Sequence, residues 1–223
     1  HIAVSKWLIA IHEMCAAKNG VSALELSRKL GITYRPAWHM AHRIRLAITR
    51  APLAKLIRGT VEADETYIGG KARFMHKSKR ERVIKGRGTI GKTPVLTIVE
   101  RGGDARSQVI NAINQKETPA PLVQNVAPEA TLITDTQSAY NEAGKQFAKH
   151  ETVDHTKGEY VRGDAHINTV EGYFGQLKRS INGTYHHVSE KHLPRYLDEF
   201  DFRYSTRKTV DGERTMRAIE QTR

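Results

Sequence analysis

Three acidic residues lie in segments that predict regular secondary structure, and together they offer the ligands of a metal site. Asp64 lies in VEADETYIGG, Asp135 ends LITD, and Glu171 lies in VEGYFGQLKRS. Carboxylate oxygens are the ligands that Mg²⁺ and Mn²⁺ prefer. Two such ions, about 3.5–4 Å apart, stabilise the attacking and the leaving oxygen of a phosphodiester. The set therefore indicates phosphodiester cleavage or transfer with Mg²⁺ or Mn²⁺, and two ions are expected.

Each acidic residue also has an ordinary structural interpretation. Most Asp and Glu side chains are solvated surface groups, and this chain has 24 of them. Asp135 is suited to a turn or to the cap of a helix that starts near Ser138. Glu171 could pair with Lys178 or Arg179 on a helix surface. Residue chemistry by itself leaves both interpretations open.

The distribution of positive charge favours a polyanionic partner. The chain has 36 Lys and Arg against 24 Asp and Glu, a formal net charge of +12. Residues 1–60 contain ten Lys or Arg and two Glu, and residues 71–92 contain nine Lys or Arg and one Glu. Two basic stretches therefore flank the acidic segment around Asp64. Basic residues beside metal-binding carboxylates would bind the phosphates of a nucleic acid.

Composition also excludes several classes of protein. No apolar run approaches the roughly 18 residues of a membrane-spanning helix. Cys15 is the only cysteine, which excludes an internal disulfide framework and a cysteine-based zinc site. We expect a cytoplasmic, nucleoid-associated protein without membrane attachment. Because the sequence begins with His1, we expect a fragment or a processed product.

The order of predicted elements from residue 60 onward is that of a mixed α/β sheet covered by helices. Strand patterns in TVEADETYIG, PVLTIVER and ARSQVINAI precede a helix in APLVQNV, and the turn around Gly102 and Gly103 predicts a hairpin between the second and third strands. ATLITD is a short buried strand, and it ends on Asp135. Open α/β sheets bind ligands at the carboxyl ends of such strands.

A long helix over HINTVEGYFGQLKRSI carries the third acidic residue. Its apolar stripe recurs at helical spacing and comprises Ile167, Val170, Phe174, Leu177 and Ile181. Asn168, Glu171, Gly175 and Lys178 share a neighbouring face. Glu171 is therefore predicted to border the core, where a carboxylate needs a partner, a metal or a water-filled cleft.

The first 50 residues resemble a helix-turn-helix. Ser22 and Glu25 form a capping-box pattern, and Gly31 predicts the end of that helix. The next helix, with Pro36 in its first turn, carries basic residues at Arg35, His39, His42, Arg43 and Arg45. Such a helix suits the major groove of DNA. A helical hairpin with solvated basic residues is the alternative.

Several long motifs resemble the DDE transposases of bacterial insertion sequences, in the group related to the eukaryotic Merlin elements. They are VEADETYIGGK, KGRGTIGKTPV, LITDTQSAY and the stretch GEYVRGDAHINTVEGYFGQLKRSINGTYHHVSEKHLPRYLDEFDFRYSTR. The resemblance covers roughly residues 55–208. It implies an RNase H-like core in which Asp64, Asp135 and a third residue bind the metal ions. It also implies double-stranded DNA as the partner, both transposon terminal inverted repeats and target, and assembly as a homodimer or larger complex.

The third metal-binding residue has two candidates. Some members of the group have Asn at this position, and Asn168 lies one helical turn before Glu171. We favour Glu171, because a carboxylate binds Mg²⁺ better than a neutral amide does. Lys178 follows Glu171 by two helical turns, the offset at which a basic residue of such enzymes often contacts DNA.

The predicted protein is an enzyme, a DNA transposase that cleaves transposon ends and transfers the 3′-OH strand to target DNA. The alternatives are a non-catalytic helix-turn-helix regulator and a structure-specific RNase H-like nuclease. We predict a DNA-binding helical module (1–54), a catalytic domain (55–208) and a C-terminal helical tail (209–223). The predicted DNA contacts are Arg35, His39, Arg43, Lys77, Lys79, Arg80, Lys85, Arg87, Lys178 and Arg179.

Overall fold

A computed structural model describes residues 1–49, 55–70, 74–86, 88–154, 157–158 and 161–221. Within these ranges, nine α-helices accompany one five-stranded sheet. The helices are α1 (Val4–Ala16), α2 (Ala23–Leu30), α3 (Tyr34–Ile48), α4 (Lys77–Val83), α5 (Pro119–Asn125), α6 (Asn141–Gly144), α7 (Asn168–Ser180), α8 (Leu193–Ser205) and α9 (Asp211–Glu220). The strands are β1 (Thr60–Ile68), β2 (Thr93–Glu100), β3 (Ala105–Val109), β4 (Thr131–Asp135) and β5 (Lys149–Val153).

The sheet has the order β3-β2-β1-β4-β5. β1, β2 and β3 are antiparallel neighbours, whereas β4 runs parallel to β1 and β5 runs parallel to β4. Gly102 adopts a left-handed φ of 75° in the predicted turn between β2 and β3. The predicted mixed α/β sheet flanked by helices is confirmed.

Helices cover both faces of the sheet, so its central strand is buried on both sides. Val61 and Ala63 pack in the core formed with α5 and α6. The opposite face packs against α7 and α8. The apolar stripe predicted for α7 is confirmed, because all of its members are buried: Ile167, Val170, Phe174, Leu177 and Ile181. α7 continues into a π-helical turn over Ile181–Tyr185.

The N-terminal helices form the predicted helix-turn-helix arrangement. The Ser22 hydroxyl accepts a hydrogen bond from the Glu25 N–H at 3.1 Å, and Gly31 ends α2 in the left-handed conformation, with φ of 57°. A shared apolar core joins α1, α2 and α3 to α9, and α3 also packs on α8. The three-part domain division stays a prediction, and its first boundary falls beside residues 50–54, outside the described ranges.

The basic segment 71–92 contains a helix that its sequence does not predict. α4 has seven residues, none of them buried, and it lies in the connection between β1 and β2. One pair of side chains, Lys77 and Glu81, approaches to 4.0 Å along the helix. Among the described residues, no helix combines the length and the apolar character that crossing a membrane requires.

Candidate active site

Asp64 and Asp135 lie side by side on neighbouring parallel strands. β1 and β4 pair in register through Glu62 and Ile133, and two residues further along each strand come Asp64 and Asp135. Equal steps from a paired position end on the same face of a sheet. Ile133 packs in the core beneath α7, so both aspartates lie on the face that α7 covers. The fold thus brings together two of the three predicted residues.

Glu65 joins these two aspartates, although we did not single it out from the sequence. Among the described residues, one group of three side chains offers ligand atoms within 4.8 Å of one another: Asp64, Glu65 and Asp135. Strand alternation places Glu65 on the opposite face from Asp64. The ladder between β1 and β4 ends at Glu62, so the edge of β1 beside Asp135 is open. Glu65 therefore reaches the same group from the other side of the sheet.

The segment that follows β4 holds the carboxylate of Glu65. The Tyr140 hydroxyl donates to Glu65 Oε2 at 2.5 Å, and the Gln137 amide donates to Oε1. The backbone N–H of Gln137 also donates to Asp135 Oδ1 at 2.9 Å. Residues 137–140 thus orient two of the three carboxylates. Gln137 and Tyr140 are functional candidates that only the fold reveals.

The carboxylates of this group repel one another and are partly buried, which disfavours their charged forms. Burial, together with the negative charges of Glu65, Asp135 and Glu171, raises the pKa of Asp64 to about 7. Burial also raises the pKa of Glu65, against the lowering effect of the Tyr140 hydrogen bond. A divalent cation among these oxygens would reverse both effects, because it supplies the missing charge.

Glu171 lies in the first turn of α7, outside the group of three. It is exposed, so the prediction that it borders the core is wrong. Tyr173 and Ser180 are also buried, and they extend the buried face of α7 on the side away from Glu171. Its charge nevertheless acts on Asp64, which couples the two carboxylates electrostatically. Asn168 is the exposed first residue of the same helix. The choice between Glu171 and Asn168 as the third ligand stays a prediction.

Burial of Asp64 and repulsion within the cluster predict that Asp64→Asn stabilises the metal-free protein. The pKa of Asp64 is raised from 3.8 to about 7 in the folded state, so the folded state holds this proton more tightly than the unfolded chain does. Stability from this group therefore falls as pH rises from about 4 to 7. In chelator at pH 8 we expect Asp64→Asn to raise the melting temperature by about 3 °C or more.

Calorimetry at pH 5 and pH 8 measures this effect. The stabilisation by Asp64→Asn is expected to be larger at pH 8, where the native carboxylate is charged. Asp164→Asn, a change of the same kind at an exposed position, serves as the control and is expected to leave the melting temperature unchanged. Equal stabilisation by Asp64→Asn at both pH values would contradict the raised pKa of Asp64.

The predicted DNA-contacting residues of α3 form one exposed stripe. Arg35, His39 and Arg43 are all exposed, and their spacing of four residues places them on one side of the helix. His42 and Arg45 were predicted to share the basic, DNA-binding character of this helix. That prediction is wrong for both, because they are buried, with 3% and 2% exposure. Both face α8, so neither is available to DNA.

The remaining predicted DNA contacts divide between α4 and α7. All of those described are exposed, namely Lys77, Lys79 and Arg80 on α4, Lys85 beyond it, and Lys178 and Arg179 in the last turn of α7. The Lys178 ammonium lies 5.7 Å from the centre of the Phe174 ring. Arg87 lies outside the described residues. Their contact with DNA stays a prediction.

Comparisons with known proteins place the chain in a family. Residues 56–205 match the family model described as the ISXO2-like transposase domain. An uncharacterized protein in transposable element ISH50 of Halobacterium salinarum is 28% identical over 229 residues, which cover 99% of this chain and 76% of that protein. A crystal structure of a pre-cleavage Mos1 transpososome aligns with 92% of this chain and 72% of its own, at 11% identity and a TM-score of 0.39.

The matched region includes every strand of the sheet and the four acidic residues of the candidate site, Asp64, Glu65, Asp135 and Glu171. The prediction of an insertion-sequence transposase is confirmed at the level of the family, whereas the relation to Merlin elements stays a prediction. Since the family model spans most of its length, this chain belongs to the ISXO2-like transposase family.

Proposed function

We propose that the chain is a DDE-type transposase that cleaves transposon ends and transfers the resulting 3′-OH strand to target DNA. One observation carries the proposal. Asp64 and Asp135 occupy matched positions on adjacent parallel strands, and their carboxylate oxygens lie with those of Glu65 within 4.8 Å of one another. Three carboxylates would repel the phosphates of DNA unless a metal ion neutralised them. Their presence in a strongly basic protein therefore supports metal-dependent phosphodiester chemistry.

The donor set suits Mg²⁺ or Mn²⁺. It consists of carboxylate oxygens, the ligands of hard divalent cations, and it lacks the nitrogen and sulfur donors that favour zinc. Asp64 and Asp135 would hold a shared ion, and Glu171, or Asn168, would complete the shell of a second. Bound there, the ions would activate the attacking oxygen and stabilise the leaving oxygen.

The protein's own groups define how DNA is held at this site. The exposed stripe of α3 supports contact with a duplex at the transposon end, and Lys178 lies two turns along α7 from Glu171. The basic helix α4 follows β1, the strand that carries Asp64. In this proposal these residues supply the phosphate contacts. The family resemblance further favours a homodimer or larger assembly on paired ends.

Removal of two positive charges from α3 is expected to weaken duplex binding. The double variant Arg35→Ala/Arg43→Ala loses two phosphate contacts, so the slope of log affinity against log salt should become shallower by about 2. Titration of a labelled terminal-repeat duplex at several salt concentrations measures this. Lys116→Ala, an exposed position in the loop between β3 and α5, is the matched control. An unchanged slope in the double variant would exclude α3 from the interface.

Cleavage and joining of labelled DNA test the function. The substrate is a duplex that ends in the terminal repeat of the element carrying this gene, with supercoiled plasmid as target, in Mg²⁺ or Mn²⁺ and in chelator. We expect nicking and strand joining that both require the metal. Cleavage governed by DNA shape without joining would instead indicate a structure-specific nuclease. Binding without cleavage would indicate a non-catalytic regulator.

A further inference from the structure

Glu62 is a fully buried carboxylate two residues before Asp64 on β1, with no exposed surface. Strand alternation places it on the same face of the sheet as Asp64, beneath α7. A buried ionised carboxylate is costly unless its oxygens accept hydrogen bonds. The contacts of Glu62 therefore show what this residue does in the fold.

Three of those contacts come from the first turn of α7. Glu62 Oε2 accepts from the backbone N–H groups of Thr169 at 2.8 Å and Val170 at 3.1 Å. Glu62 Oε1 accepts from the Thr169 hydroxyl at 2.8 Å. A side chain of the central strand thus binds the start of the helix that carries Glu171.

Arg101 completes the arrangement from the end of β2. Its Nε donates to Glu62 Oε1 at 2.6 Å, and its Nη2 donates to the backbone carbonyl of His166 at 2.9 Å. Arg101 therefore neutralises the buried carboxylate and at the same time holds the residues that lead into α7. Arg101 thus holds the chain just before α7, and Glu62 holds the first turn of the helix.

α7 depends on this cap because its own sequence provides none. Its N-cap position is Ile167, which has no side-chain group able to accept a hydrogen bond. The first N–H groups of a helix have no partner within it, and a carboxylate there also interacts favourably with the helix dipole. Glu62 supplies the missing acceptor from another element of the fold.

We propose that Glu62 is a positioning residue that fixes the start of α7 on β1 and thereby sets the separation between Asp64 and Glu171. Glu171 follows the capped residues directly, and its N–H donates to the Ile167 carbonyl at 3.1 Å. Glu62 is thus two residues from Asp64, and the residues that it binds directly precede Glu171. The inference rests on the proposed metal-dependent function, since the separation matters only if both carboxylates bind ions.

Glu62→Gln tests the proposal. The amide keeps the shape of the side chain, but its NH₂ group faces N–H or O–H donors where the carboxylate oxygen accepted from them. The change also leaves Arg101 without its counter-charge. In the metal-free variant we expect faster hydrogen exchange at the amides of residues 169–171. Manganese titration followed by electron paramagnetic resonance should show an affinity lower by about tenfold or more for the Glu171-dependent ion. Thr169→Val, which removes one hydrogen bond, should shift both readouts the same way by a smaller factor.

A double-variant cycle distinguishes positioning from general stability. If Glu62 acts through Glu171, Glu171→Gln should weaken Mn²⁺ binding by about tenfold in the unaltered protein but have little further effect beside Glu62→Gln. Leu122→Ala is the matched control, because it opens a buried site under α5 and does not touch α7. It should lower the free energy of unfolding without changing Mn²⁺ affinity and without selectively increasing hydrogen exchange at the amides of residues 169–171.

Wild-type Mn²⁺ affinity in both Glu62→Gln and Thr169→Val would overturn the inference. So would full additivity of Glu62→Gln and Glu171→Gln, since it would make Glu62 an ordinary buried ion-pair partner. Absence of Mn²⁺ binding by the unaltered protein would instead overturn the proposed function and this inference together. The two failures can be distinguished, because if only the inference about Glu62 is wrong, the unaltered protein still binds Mn²⁺.

Discussion

Asp64→Asn and Asp135→Asn are each expected to lower strand cleavage and strand transfer by about a thousandfold or more. Each change replaces a charged ligand of the proposed metal site by a neutral amide, and several kcal/mol of transition-state stabilisation depend on the bound ions. Because Asp64 and Asp135 lie on the sheet and not on α3, duplex binding should stay within about twofold. Single-turnover cleavage and a binding titration on the same duplex measure the two effects.

The control for this loss is Glu142→Gln, an exposed carboxylate on α6 that pairs with Lys145. It removes the same charge from the surface and should leave the cleavage rate unchanged. Metal-dependent strand transfer at wild-type rates in either Asp variant would exclude that residue from the site. Equal loss in the Glu142 variant would show that net charge, and not ligation, governs the rate.

The pairing of Asp64 with Asp135 was predicted from the family resemblance. The strand patterns place Asp135 at the carboxyl end of β4, where open α/β sheets bind ligands, but Asp64 lies in the middle of β1, so the patterns alone do not bring the two together. The register of β1 and β4, with Glu62 opposite Ile133, is what the sequence alone does not contain. It depends on the loops and on the cores of both faces.

Glu65 and Glu62 were missed for opposite reasons. Alternation along a strand assigns Asp64 and Glu65 to different faces, so a shared site is not expected until the open edge of β1 is known. Glu62 lies on the same face as Asp64, but nothing in the sequence near it indicates the first turn of α7. Its hydrogen bonds to Thr169 and Val170 span more than 100 residues of chain.

Arg45 shows where residue type alone gives the wrong environment. A basic residue in a helix-turn-helix is typical of DNA contact, yet Arg45 has 2% exposure. It lies on the side of α3 that packs against α8, where Glu199 accepts from its Nε at 2.6 Å. The helical period separates Arg43 and Arg45 by about 200°, and only the position of α8 decides which of them meets solvent.

Glu199→Ala is expected to be the most destabilising single change in the helical interface. Glu199 is 1% exposed and contacts Arg45, Arg203 and the Tyr185 hydroxyl. Removing the carboxylate leaves two buried guanidinium groups without a counter-charge, which costs about 3–5 kcal/mol. For a chain of this size the melting temperature should fall by roughly 6–20 °C. Thermal unfolding at pH 7 measures the change.

The pH dependence of the same group has a definite sign. Burial raises the pKa of Glu199, but the charges of Arg45 and Arg203 outweigh that effect and hold it below its ordinary value of 4.5. The stabilisation is therefore fully present above about pH 4.5 and is lost as pH falls through the lowered pKa. The difference in stability between the unaltered protein and Glu199→Ala should be constant from pH 6 to 8 and shrink in acid.

An exposed ion pair provides the comparison that makes the Glu199 result specific. Lys29 Nζ lies 2.7 Å from Glu13 Oε2 on the surface of the same helical module, where solvent screens the interaction. Glu13→Gln should therefore lower stability by less than about 1 kcal/mol. If Glu199→Ala costs no more than Glu13→Gln, the buried network does not hold α3 on α8. A much larger loss would support the conclusion that Glu199 holds α3, with its exposed basic stripe, on α8.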